Sequence, residues 1–182
     1  MSKTQKQSFN SLVMLATLAM LIALEVVLSR LVAPINTQFS KISFGFVPVA
    51  IAAYLYGIKG GAVVGGVSDV IGAILFPTGE FFPGFTVTAI FQGVVFGLFL
   101  GRKFDGKTNK VLRTVIPVII TQLLGSLLLN TFWISYIYHS SFKALLVTRL
   151  LQTLVMIAVE IVVIPLFTES FSKIRSIKMM RS

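Results

Sequence analysis

Gly60-Gly-Ala-Val-Val-Gly-Gly-Val-Ser-Asp-Val-Ile-Gly-Ala-Ile-Leu-Phe76 runs directly into Pro77-Thr-Gly-Glu-Phe-Phe-Pro83-Gly84. The first part reads as a small-residue apolar helix, the second as a loop with a proline near each end. Gly61, Gly65 and Gly72, with Ala62 and Gly66, remove bulk from the helix surface, so neighbouring helices can approach closely in lipid. Asp69 lies inside this segment, about midway between the flanking loops, where an ionised carboxylate is costly unless a partner or a water-filled cavity meets it. The backbone cannot stay helical through Phe76-Pro77 or Phe82-Pro83. Irregular backbone near membrane depth is tolerated only where protein covers it or a cavity borders it. Asp69 and this loop are therefore expected to form one wall of a solute pocket.

The rest of the chain has the same solvent preference. Of 182 residues, 55% are apolar and 12% charged, whereas a soluble domain carries about 25% charged residues. The composition is that of an all-α integral membrane protein. There is no cysteine, hence no disulfide framework, thiolate metal site or cysteine nucleophile, and the single histidine, His139, is too few for a multi-histidine zinc or haem site. No cofactor is expected. The net charge of +10 takes its meaning from where the basic residues fall.

Apolar stretches at about 11–33, 43–57, 60–76, 84–101, 112–135 and 144–168 predict six spans in one membrane domain covering residues 1–182. The first is near the ~20 residues a span needs and has no convincing cleavage site after it, so it reads as a retained helix rather than a signal peptide. Lys3, Lys6, Lys59, Arg102, Lys103, Lys107, Lys110, Arg113, Lys173, Arg175, Lys178 and Arg181 then fall on one side, against Lys41 and Lys143 on the other. Positive charge marks the cytoplasmic side, which places both termini of a compact six-transmembrane-helix bundle there. The charge is a topology signal, and no nucleic acid partner is expected.

Two basic residues remain. Arg30 lies near the outer end of the first span, and Arg149 about two turns into the sixth from its outer end. Snorkelling to the interface would satisfy Arg30 easily and Arg149 with difficulty; lining a shared cavity that holds an anion would satisfy both. Helical spacing adds polar neighbours. Arg149, Gln152, Thr153, Met156 and Glu160 share one face of the sixth span, and Gln122, Gly125, Ser126, Leu129 and Trp133 one face of the fifth, with Asn130 beside them. The fourth offers Phe85, Thr88 and Gln92. Such stripes must face inward in lipid, as interhelical glue or as a site, and their clustering toward the outer half favours a site.

The second span is short and carries Pro48, and residues Pro34 to Lys41 before it form an outer loop in which Asn36, Thr37 and Gln38 would suit a lid and an ordinary solvated loop equally. On the first span Ala16, Ala19, Ala23, Val27 and Arg30 form one stripe, with Glu25 on the opposite face. The stripe either packs inside the bundle, or meets a partner with its inner half while its outer half turns into the pocket. Glu25 reads equally as neutral, paired or a ligand contact. Residues Gly101-Arg-Lys-Phe-Asp-Gly-Lys-Thr108 match the P-loop pattern formally. That pattern needs a preceding buried strand and a following helix to cradle phosphate, whereas here it joins two spans, so the match is read as coincidence.

With six spans, no ATP-hydrolysing apparatus, an outer-half polar pocket and an alanine stripe on the first helix, the chain resembles the substrate-binding S components of energy-coupling factor (ECF) vitamin transporters. The likeness covers nearly the whole chain. Ile42-Ser-Phe-Gly-Phe-Val-Pro-Val-Ala50, Gly65-Gly-Val-Ser-Asp-Val-Ile-Gly72 and Leu75-Phe-Pro-Thr-Gly-Glu-Phe-Phe-Pro-Gly-Phe85 are most similar to the folate-specific members. The resemblance implies a multi-pass protein of the bacterial cell membrane that captures folate or a reduced folate from outside. It also implies delivery through a shared ECF module of one transmembrane coupling protein and two ATPases, with Ala19 and Ala23 contacting the coupling protein. ATP hydrolysis would then belong to the partners.

Folate combines a flat pterin rich in donors and acceptors with a dicarboxylate tail. Guanidinium forks suit the tail, and Gln, Asn, Asp or Glu suit the pterin edge. The candidate substrate-binding set is Arg30 and Arg149 for the anionic tail, Gln92, Asn130 and Asp69 for the ring, Phe85 and Trp133 for stacking, and Thr78 in the loop. The competing readings are an S component for another anionic vitamin such as pantothenate, and a stand-alone secondary transporter using Glu25, Asp69 and Glu160 as ion carriers. An intramembrane enzyme finds no nucleophile-base pair.

Overall fold

The computed structural model describes residues 3–33, 35–36, 41–77, 79–101 and 110–172. Among these, five helices are long and apolar enough to cross a membrane. Helix α1 (Lys3–Val26) continues into a π-helical turn at Val27–Leu31, and a two-residue hairpin follows, β1 (Ile35–Asn36) against β2 (Lys41–Ile42), antiparallel with Ile35 opposite Ile42. The elements after it are α2 (Phe46–Leu75), α3 (Pro83–Leu100), α4 (Lys110–Ile120), a π-helical segment Thr121–Leu129, α5 (Asn130–Tyr138) and α6 (Phe142–Ser172). Thr37 and Gln38, Thr78, and residues 102–108 of the P-loop-like match lie outside the described residues.

The apolar stretches expected at 43–57 and 60–76 fall in a single helical run, α2, which is interrupted at Gly57 (φ 66°, ψ −151°). That backbone conformation is open to glycine and strained for other residues. The chain folds back there: a Cβ built on Gly60 would lie 2.7 Å from the carbonyl oxygen of Ala52, although eight residues along a straight helix span about 12 Å. Residues 46–55, before the break, are all buried, as expected of a helix apolar on every side. They form the centre of the molecule, with Val64, Phe96, Val118, Met156 and Ile164 packed into the same core.

After the break the glycines act as the sequence predicts. A Cβ on Gly61 would run into the carbonyl oxygen of Gly93, one on Gly93 into that of Gly61, and one on Gly65 would lie 2.5 Å from the carbonyl oxygen of Ala89. Helices α2 and α3 therefore meet backbone to backbone. Pro83 opens α3 at its first position, where its missing N–H costs nothing, and α2 stops at Leu75, just before Pro77. At the far end of α3, Arg113 donates to the carbonyl oxygens of Phe99, Leu100 (3.2 Å) and Gly101 (3.4 Å), capping the helix terminus. The least buried spanning helix is α1, whose Ala16, Ala19 and Ala23 are all exposed. The alanine stripe thus faces away from the bundle and is not internal packing.

Candidate functional site: a polar cavity inside the bundle

Charged and amide side chains from α1, α2, α3, α5, α6 and the Thr121–Leu129 segment converge on one cavity of about 260 Å³. Arg30, Arg149, Asp69, Gln92, Asn130 and Phe85 all border it. Trp133 stands one layer behind, its indole N–H donating to Thr88 Oγ1 (3.2 Å) and its ring 5.4 Å from that of Phe82, which does line the cavity. Gly84 makes room for this packing, since a Cβ there would come within 2.6 Å of the indole.

A π turn re-aims the end of α1. The N–H of Val32 bonds to the carbonyl oxygen of Val27 at 3.0 Å, an i to i+5 bond, and such a turn inserts one residue into the helical register. In an unbroken α-helix Arg30 would share the outward stripe of Ala23 and Val27, with Glu25 opposite. Here Val27 is 40% exposed while Glu25 and Arg30, five residues apart, both border the cavity. The expectation that they occupy opposite faces is thereby corrected. Gly45 admits Glu25, because a Cβ there would lie 2.8 Å from Glu25 Oε1.

Arg30 reaches across Gly72, whose missing Cβ would lie 2.9 Å from Arg30 Nε, and its Nη2 sits 3.6 Å from Asp69 Oδ1. The other carboxylate oxygen of Asp69 accepts from Thr86 Oγ1 at 2.8 Å. Both oxygens are engaged, which answers the cost of a carboxylate in this setting.

The spanning segment Val111–Tyr138 shows the same device. A step of four residues along an α-helix drifts by about 40°, so Gln122, Ser126, Asn130, Ile134 and Tyr138 could not all share one face of a regular helix. All five border the cavity, because the wider turns of the Thr121–Leu129 segment absorb the drift. That segment begins one turn after Pro117, which lacks an N–H for the regular ladder. The shift that brings Asn130 to the cavity leaves Trp133 beside it.

Helix α6 is regular, and its stripe is as expected: Arg149 is 4% exposed and Glu160 0%, with Gln152, Thr153 and Met156 also buried. Arg149 and Glu160 stand eleven residues apart, about 16 Å along the helix, so the cavity is elongated. Its mouth is formed by Pro77, Gly79, Glu80, Phe81, Phe82 and Tyr138, with the Glu80 N–H donating to Tyr138 Oη at 3.3 Å. At the opposite end Gln122 Nε2 donates to Glu160 Oε1 at 2.6 Å. Arg149 Nε and Nη1, Asn130 Oδ1, Gln122 Oε1 and Glu160 Oε2 are buried with no hydrogen-bond partner among the described residues. Unmet donors and acceptors cost about 1–3 kcal/mol each; a ligand carrying both kinds of group would remove that cost. Sequence spacing did not single out Glu80 or Tyr138, since one lies in a loop and the other on the re-registered helix.

A family model of the ECF transporter substrate-specific component matches residues 13–167. The chain belongs to that family. As an S component it is a multi-pass protein of the bacterial plasma membrane. It is 37% identical over 147 residues to the folate transporter FolT of Clostridium novyi (strain NT), covering 81% of this chain and 83% of that one. To FolT of Leuconostoc mesenteroides subsp. mesenteroides the identity is 32% over 149 residues, covering 79% and 78%. Among solved structures, it matches a crystal structure of FolT bound with folic acid at a TM-score of 0.77 and 29% identity, over 86% of this chain and 92% of that chain.

Proposed function

We propose that this S component captures folate, or a reduced folate, and hands it to an ECF module of one coupling protein and two ATPases. The observation that carries the reading is the placement of Arg30 and Arg149 on one cavity together with amides, in a chain similar to folate transporters over most of its length. The guanidiniums take the tail carboxylates as charge-assisted forks. Gln92 and Asn130 meet the ring edge, and Phe85 supplies apolar surface against it. Thr78, between Pro77 and Gly79 in the sequence, stays a proposed contact.

The chain is a single six-span domain with both termini in the cytoplasm: the fold-back at Gly57 supports two spans within α2, and the distribution of basic residues supports the orientation. Exposed Ala19 and Ala23 support a small-residue contact with the coupling protein. The subunit carries no catalysis of its own, and ATP hydrolysis resides in the partners.

Equilibrium titration of the purified protein with folic acid tests the substrate, with saturation that excess pantothenate does not reverse as the expected result. No binding of folic acid or reduced folate would remove the assignment. Gly72→Val should crowd Arg30 off Asp69, since the first added carbon alone approaches Arg30 Nε to 2.9 Å. Losing part of one charge-assisted contact predicts folate affinity lower by about three- to tenfold, with Gly72→Ala falling between it and the unsubstituted protein in the same titration.

A further inference from the structure

We propose that Thr86 is a positioning residue for substrate capture: through Asp69 it fixes where the Arg30 guanidinium stands before the anion arrives. The inference rests on the folate reading above and adds to it a residue that lies behind the cavity wall.

The hydroxyls of Thr88, Thr121, Thr153 and Thr168 each donate to the carbonyl oxygen four residues earlier in the same helix, at 3.1, 2.8, 2.9 and 3.0 Å. That local bond is the ordinary outlet for a threonine inside a helix. Thr86 does otherwise. The carbonyl four residues before it belongs to Phe82 and accepts the N–H of Phe85 at 3.0 Å, while the Thr86 hydroxyl crosses to α2 and donates to Asp69 Oδ2 at 2.8 Å. The seam between the helices sets this up. Gly61 meets Gly93 and Gly65 meets Ala89 backbone to backbone. Asp69 stands four residues beyond Gly65, and Thr86 three before Ala89, so the antiparallel pair carries both side chains to the next rung of the same contact. The glycine seam thus fixes the separation of donor and carboxylate. Thr86 holds Asp69 by one oxygen, and the other faces Arg30 Nη2 at 3.6 Å.

Asp69 and Arg30 border the cavity, whereas Thr86 borders an apolar groove with Val63, Val67 and Ile90 on the outer side of α2 and α3. Its influence on a ligand therefore runs through Asp69. Arginine is a long side chain that loses rotamer freedom when it grips an anion. A guanidinium held in advance loses less, and the difference appears as affinity. Valine has nearly the shape of threonine and would suit the groove as well, so what Thr86 contributes is its hydroxyl.

The test is a double-mutant cycle on the affinity for folic acid, read by equilibrium titration. Thr86→Val should weaken binding about three- to tenfold, the range of one hydrogen bond, and Thr86→Ser, which restores the donor, should bind within about twofold of the unsubstituted protein. Thr86→Ala also lacks the donor and should repeat the Thr86→Val result. Asp69→Asn removes the charge that attracts the guanidinium and should weaken binding at least as much as Thr86→Val. In the Asp69→Asn background, Thr86→Val should change the affinity by less than about twofold, because the hydroxyl then has no carboxylate to hold. Three results would overturn the proposal: unchanged affinity in Thr86→Val, a loss that Thr86→Ser does not restore, or a loss that adds in full to that of Asp69→Asn. In each of these the folate reading stands. If the unsubstituted protein binds no folic acid, the folate reading fails and this inference fails with it.

Discussion

Replacing Arg149 with alanine is expected to weaken folate capture at least tenfold, with the folded protein intact. The side chain is 4% exposed, and its Nε and Nη1 donors are buried with no hydrogen-bond partner among the described residues. A guanidinium in that condition is unfavourable in the empty protein and becomes favourable when an anion arrives, so its energy is expressed in binding rather than in folding. Loss of a charge-assisted pair costs more than ~1.4 kcal/mol, which is tenfold in affinity. Arg149→Lys keeps the charge but loses the planar fork and should fall between the two. Titration with folic acid reads the affinity, and thermal unfolding in detergent reads the fold. Unchanged affinity in Arg149→Ala would exclude the residue from the site.

The second large effect concerns the scaffold. Gly93→Leu should prevent α2 and α3 from closing, because its Cβ would occupy the position of the Gly61 backbone, with the Ala62 nitrogen at 2.7 Å. Backbone cannot yield as a flexible side chain can. Overpacking a tight contact costs about 3 kcal/mol at the upper end of its usual range, and here the separation of two helices would also displace Asp69 from Thr86. The expected result is a markedly lower thermal midpoint, or no monodisperse protein on size-exclusion chromatography. Val63→Leu is the comparison: Val63 is 44% exposed and should tolerate the larger side chain. A normal midpoint for Gly93→Leu would mean that the two helices are not held together at this contact.

Much of the molecule follows from local rules that act within one segment. Runs of apolar residues mark the spanning stretches, prolines 77 and 83 end one helix and open the next, and glycine spacing announces where backbones touch. The stripe from Arg149 to Glu160 could be read from spacing alone because α6 stays regular through it. What spacing could not foresee is where helices depart from 3.6 residues per turn. The π turn at Val27–Leu31 brings Glu25 and Arg30 to the same cavity, and the Thr121–Leu129 segment brings Asn130 in while leaving Trp133 behind. Nor does chain order predict that Gly72 opens a path for Arg30 to Asp69 from another helix. Local propensity favours the regular ladder in these segments, and a π turn persists only where packing and buried polar contacts across the bundle offset its poorer geometry. The side chains available to the cavity were legible in the amino-acid order; which of them meet there was decided by helices pressing on one another.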